Sequence, residues 1–222
     1  MPSEKWVTFD CFGTLMDWQG GFRRILATVA GPRADALVHA YHAAEAATEG
    51  DDPSRPYKDV LTLTLRRAAA AIGLALTDAQ AGALVTGWGT LLPFPDTGLA
   101  LAQLRTAGWK IGILTNCDDD LFDRTRANFP GPIDLLVTAQ QVQSYKPGLA
   151  HFEAFEPRTG VDRARWVHAA VSWWHDMQPA RTLGLRRVWV DRENSGHDPA
   201  IVTRRVEDMA SLPAAIAQFG IL

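Results

Sequence analysis

Residues 6–15 read Trp6-Val7-Thr8-Phe9-Asp10-Cys11-Phe12-Gly13-Thr14-Leu15. Four apolar, β-prone residues run into a carboxylate, and Gly13 then breaks the pattern. That is the signature of a short buried strand ending in a polar loop. Downstream the same unit recurs. Helix 97–107 leads into strand 110–114, helix 119–128 into strand 133–137, helix 149–158 into strand 166–171, and helix 178–183 into strand 187–190. Strands alternating with helices predict a parallel sheet covered by helices. Between the opening strand and Pro93-Phe94-Pro95-Asp96 the pattern is helical throughout. Helices are expected from Gly20 to Thr48, split at Gly31-Pro32, then from Asp59 to Ile72, and again after an N-cap at Thr77. Gly50 to Pro56 reads as a loop. A last helix is expected over 211–219, and Arg204-Arg205 as a solvated face. The predicted fold is therefore α/β: a Rossmann-like parallel sheet core (residues 1–16 and 95–222) with an inserted helical cap domain (residues 17–94).

Composition narrows the function classes. The 222 residues carry 22 basic and 25 acidic side chains, a net charge of −3. No basic excess is present to neutralise a phosphate backbone, so nucleic acid is not an expected partner. No stretch approaches a membrane span, and Cys11 and Cys117 are too few for a disulfide framework. A cytoplasmic protein acting on a small molecule is expected, without a membrane partner. An apolar cap face leaves a homodimer possible.

In an open parallel sheet, ligands gather beyond the carboxyl ends of the strands. Asp10, Thr115-Asn116, Ser144 with Lys146, and Asp176 all fall at such ends. Singly, each reads as an ordinary turn or cap residue. Four independent loops agreeing is a site.

In this order the motifs resemble those of the haloacid dehalogenase superfamily: Asp10-Cys11-Phe12-Gly13-Thr14-Leu15, Leu114-Thr115-Asn116, Tyr145-Lys146-Pro147, and His175-Asp176-Met177-Gln178-Pro179. The resemblance implies an aspartate nucleophile at Asp10. Most members are Mg²⁺-dependent phosphatases with a second Asp two residues after the nucleophile, as general acid. Here that position is Phe12, which donates no proton. The extra acidic position of the fourth loop falls on Val171 or Ser172, so the carboxylate set is thin for Mg²⁺. Both departures match the metal-free L-2-haloacid dehalogenase branch, which implies no cofactor and a small carboxylic acid as substrate.

Within that resemblance Asp10 attacks carbon, Lys146 holds it ionised and aimed, and Asp176 orients or deprotonates the hydrolytic water. Thr14, Thr115 and the backbone N–H groups after Asp10, beginning at Cys11, bind the substrate carboxylate or a developing oxyanion. Asn116 cradles the departing anion. Phe12, Ser172, Tyr41 and Trp173 complete the substrate-binding set, and the Cys11 thiol itself packs inward. The family's halide-gripping cap arginine has no counterpart between Arg33 and Arg55; His39, Tyr41 and His42 stand there instead. Trp173-Trp174 follow Ser172, and Phe152 replaces a tyrosine. Two alternatives stay open: a Mg²⁺-dependent phosphatase, and a relative opening a C–N ring in another small acid.

Overall fold

In the computed structural model, which describes residues 4–52 and 55–221, six strands form one sheet: β1 (Lys5–Phe9), β2 (Trp109–Thr115), β3 (Leu135–Thr138), β4 (Trp166–Ala170), β5 (Arg186–Val190) and β6 (Arg204–Val206). They lie in the order β3-β2-β1-β4-β5-β6, every neighbouring pair parallel. The chain works outward from β1 to β3, then crosses to β4 on the other side. That reversal leaves a crevice beyond the carboxyl ends of β1, β2 and β4. Phe9 pairs with both Ile113 and Ala169, so Asp10 emerges level with the ends of its two neighbours.

Covering by helices explains the near-continuous apolar strands. Val7, Phe9, Ile111, Ile113, Val167 and Val188 pack on one face, and Trp6, Leu114, Phe155 and Trp166 on the other. Helix Ala150–Thr159 approaches the second face closely. A Cβ at Gly112 would stand 2.6 Å from the Phe155 ring, so glycine is what this contact permits.

Between β1 and β2 the chain forms α1 (Trp18–Ala30), α2 (Ala34–Asp51), α3 (Tyr57–Ala71) and shorter helical turns to Thr90. The break between α1 and α2 falls at Gly31-Pro32, where Gly31 takes φ +53°. Thr77 and Gln80 form a reciprocal capping box. The entering and leaving chains are tied together: the N–H of Asp17 donates to the Leu92 carbonyl at 2.8 Å, and that of Phe94 to Leu15 at 3.0 Å. A further tie comes from Asp118, beyond β2, whose carboxylate accepts the N–H groups of Tyr57 and Lys58 at 2.9 Å each. A core carboxylate thus caps a helix of the insertion, against the positive end of its dipole.

Several expectations need correction. Helix α2 runs through Asp51, beyond the expected end at Thr48 and into the expected loop; residues 53 and 54 of that loop lie outside the described residues. β6 was not foreseen. Arg204-Arg205 belong to this short edge strand, and Arg205 pairs with the buried Asp191 at 2.7 Å. Three residues, the first two exposed and only Val206 buried, carry too little periodicity to announce a strand. Asp176 lies within a wide turn, Trp173–Met177, whose closing bond runs from the Met177 N–H to the Ser172 carbonyl.

Candidate active site

At the end of β1, Asp10 is held by two donors. Lys146 Nζ lies 3.0 Å from its Oδ1, and the Thr14 hydroxyl 3.0 Å from its Oδ2. Thr14 Oγ1 also accepts the Val171 N–H at 3.0 Å, so the hydroxyl proton is left for Asp10. Gly13, at φ +101°, makes the turn that brings Thr14 back over Asp10; a Cβ there would stand 2.9 Å from the Trp18 indole nitrogen.

Lys146 is 1 % exposed, and each of its three protons has an acceptor: Asp10 Oδ1 at 3.0 Å, Asp176 Oδ1 at 2.7 Å and the Leu114 carbonyl at 2.9 Å. Burial alone would lower the lysine's pKa, but the two carboxylates outweigh it and raise it. Burial would raise the carboxyl of Asp176. The Lys146 charge and the bonds from His168 and Lys146 prevail and hold it well below the usual carboxylate range. Asp10 moves the other way: burial raises its carboxyl, Lys146 opposes this, and the Asp176 charge adds to the rise. Two carboxylates sharing one lysine are pushed apart in acidity.

His168, in the middle of β4, was not recognised in the sequence. Its Nε2 lies 3.0 Å from Asp176 Oδ1, and its Nδ1 2.9 Å from Thr8 Oγ1, which accepts the Trp166 indole N–H at 2.8 Å. The tautomer with the proton on Nε2 satisfies this chain from Trp166 through Thr8 and His168 to Asp176. A histidine in an otherwise apolar strand was the available signal. His168→Leu should cost about 2 kcal/mol in urea unfolding, because it removes the short acceptor of the buried Thr8 hydroxyl and one of the two donors on Asp176 Oδ1. A loss no larger than that of a surface substitution would show that the chain does not buttress Asp176.

The cavity over these groups has a volume of about 420 Å³. Asp10, Phe12, Thr115, Asn116, Lys146, Ser172 and Asp176 all line it. Asp176 Oδ2 is buried without a hydrogen-bond partner among the described residues, so it can accept from a bound molecule. Asn116 is committed elsewhere: its side chain accepts the Lys146 N–H at 2.7 Å and donates to the Lys146 carbonyl at 3.1 Å. It clamps the lysine loop with its oxygen and one N–H, which leaves the second N–H of the amide for an anion.

Two expected contact residues, Tyr41 and Trp173, lie off the cavity. Tyr41 is fully buried, edge-on to Phe22 at 5.3 Å, and its hydroxyl reaches Glu45 instead. The Cys11 thiol packs inward in the core, as expected. Trp173 stacks on His197 at 4.8 Å and packs edge-on against Trp189. Trp18, Tyr57, Trp88 and Phe94 supply the aromatic wall, with Glu45, Glu49 and His175 beside them.

No group of three or more His, Cys, Asp or Glu able to hold a metal ion occurs among the described residues. The donor set does not fit Mg²⁺: Asp10 and Asp176 each give an oxygen to the ammonium between them, and position 12 is aromatic. No described helix is long and apolar enough to cross a membrane.

An (S)-2-haloacid dehalogenase of Pseudomonas fluorescens is 27 % identical over 147 residues, 63 % of this chain and 64 % of that protein, so the match spans just under two thirds of the relative. The (S)-2-haloacid dehalogenase of Pseudomonas sp. strain YL is 27 % identical over 206 residues, covering 85 % of this chain and 83 % of the relative. Among solved structures, an L-2-haloacid dehalogenase shares the fold with a TM-score of 0.86 at 23 % identity, over 97 % of this chain and 99 % of that one. The family model described as haloacid dehalogenase-like hydrolase matches residues 4–184, from the start of β1 through the turn that carries Asp176. Asp10, Lys146 and Asp176 thus fall inside one match, and the chain belongs to the haloacid dehalogenase-like hydrolases.

Proposed function

We propose that the protein hydrolyses the carbon–halogen bond of small 2-haloacids through an ester on Asp10, without a metal. The carrying observation is the placement of Asp10 between Lys146 and Thr14 at the cavity, with Phe12 where a phosphatase keeps its acid. On this reading residues 17–94 act as a cap over a core of 1–16 and 95–222.

Asp10 Oδ displaces halide from carbon, and the C–X electron pair leaves with the halide. No proton is needed at that step, so an aromatic side chain at position 12 costs nothing. Water then adds to the Asp10 carbonyl carbon and releases the hydroxy acid. Asp176, strongly acidic, is a poor base, but its unpartnered Oδ2 suits it to orient that water. Lys146 stabilises the charge that returns to Asp10. Thr115, Ser172 and the N–H groups following Asp10 serve the substrate carboxylate.

Purified protein offered 2-chloropropionate should release chloride at the same rate with and without EDTA. Phosphate release from p-nitrophenyl phosphate that EDTA abolishes, with no chloride from the haloacid, would replace this reading with the phosphatase one.

A further inference from the structure

The helical insertion contributes carboxyl groups that a haloacid does not need. Glu45 and Glu49 lie one turn apart on α2, and both line the cavity that Asp10 lines. Glu45 is held by the hydroxyls of Tyr57 and Tyr41, at 2.7 and 3.1 Å. Glu49 is different. Its side chain is 10 % exposed and makes no hydrogen bond among the described residues; His175 Nε2 stands 3.7 Å from its Oε2. It is a buried carboxyl left open toward the cavity.

Among the described residues the cavity also offers no free cation for an anionic substrate. Its basic lining residues there are Lys146, Arg192 and His175, and burial lowers the pKa of the histidine. Lys146 is spent on two carboxylates, and Arg192 is forked onto Asp96 and bonded to the Thr14 carbonyl. Burial, with the charge of Glu45 added and that of Lys146 opposing, pushes the Glu49 carboxyl up to about 8. It therefore carries its proton at neutral pH, while Asp176 does not. Environments that drive carboxyl groups of one site apart in acidity separate an acid from the groups that stay ionised.

We propose that Glu49 is a proton donor to a leaving oxygen, and that the site opens small neutral epoxides in addition to carbon–halogen bonds. The inference rests on Asp10 being a nucleophile at carbon. Halide departs unaided. A strained amine is already protonated in neutral water. An epoxide oxygen is not protonated, and it leaves as a costly alkoxide unless a donor meets it. Asp10 Oδ attacks a ring carbon, the C–O bond breaks with its electron pair on oxygen, and that oxygen takes the Glu49 proton. Water then adds to the Asp10 carbonyl carbon. The diol leaves, Asp10 returns as carboxylate, and the proton released from water returns to Glu49. Phe12, Trp18, Tyr57 and Trp88 offer an apolar wall for the substituent, in a volume of about 420 Å³.

Styrene oxide is the probe, with phenylethanediol measured beside chloride release from 2-chloropropionate. Wild-type protein should form the diol. Glu49→Gln should lower the ratio of diol formation to chloride release on the order of 100-fold, and Glu49→Asp should restore part of it. Diol formation should fall above about pH 8, as Glu49 loses its proton, and E49Q should lack that limb. The groups bearing on this titration are Tyr41 and Glu45 on α2, Tyr57 on α3, Tyr145 and Lys146 beyond β3, and His175 beyond β4. E49Q should fold: a carboxyl raised in the native state gives stability that is lost as pH rises through about 8, and glutamine has no such loss. Its melting temperature at pH 9 should therefore exceed that of wild type. Chloride release that needs Asp10, with no diol from styrene oxide, overturns the inference and spares the dehalogenase reading. Diol formation that E49Q leaves unchanged also overturns it. Diol formation that survives Asp10→Asn sinks the nucleophile and this inference together.

Discussion

Asp10→Asn should reduce turnover on the order of 10⁴-fold or more while leaving the fold intact. Asparagine has the shape of aspartate but lacks the negative oxygen that must bond to carbon. Its surroundings tolerate it, because Thr14 Oγ1 can accept as well as donate and Lys146 keeps Asp176 and the Leu114 carbonyl. The loss would therefore report chemistry rather than unfolding, and an unchanged urea midpoint checks this. Isotope gives the positive counterpart. In H₂¹⁸O, hydrolysis of an Asp10 ester puts the heavy oxygen first into the carboxylate, so the tryptic peptide Trp6–Arg23 becomes heavier during turnover. Heavy oxygen appearing in the product of a single turnover, with that peptide unlabelled, would mean that water attacks the substrate directly. The pH dependence has a sign as well. Burial raises the Asp10 carboxyl, and the attacking form is the ionised one, so activity should fail on acidification earlier than an ordinary aspartate would dictate.

Local patterns carried most of the sheet, the insertion and the shared lysine. A run such as Trp6-Val7-Thr8-Phe9 is buried on both faces whatever packs on it, and a carboxylate at its end is exposed to the crevice by topology alone. Gly31-Pro32 and Thr77 to Gln80 announced helix ends because capping chemistry is local. Tyr41 illustrates the limit. α2 is rich in alanine on several faces, so periodicity did not say which side meets the cavity. The tyrosine turned inward and the glutamates one and two turns later took the cavity wall. The spacing of Glu45 and Glu49, like charges one helical turn apart, was a usable sign, because such a pair is unfavourable without a partner. The partners of Asn116 and His168 were out of reach for another reason. Whether an amide is spent on the Lys146 backbone, or an imidazole finds a carboxylate below it, depends on loops remote in sequence.

Lys146→Met should destabilise the protein by about 3–5 kcal/mol at pH 7 and lower turnover on the order of 10³-fold. Methionine keeps most of the chain that the core packs around, so the change is mainly one of charge. It leaves Asp10 and Asp176 buried, close to each other and without a counter-ion. Lys146 lies 2.7 Å from the carboxylate it holds well below the usual range, and its charge is the largest influence lowering that carboxyl. The sign of the pH effect follows. A carboxyl depressed in the folded state gives stability that is present above its unfolded pKa and lost as pH falls through the folded value. Without the lysine, Asp176 loses the largest part of that depression, with only His168 left to lower it, and protonation relieves the repulsion between the two carboxylates. The gap between wild type and variant should therefore be widest near neutrality and shrink as pH falls through the carboxylate range. Urea unfolding at pH 7 and pH 4.5 measures it. A deficit independent of pH would assign the loss to packing, and Lys146 would then be a buried strut rather than the counter-charge that keeps two carboxylates in one site. Adding Asp176→Asn to Lys146→Met separates the two causes again: stability should recover in the double variant if the unpaired charge is to blame, and fall further if the packing is.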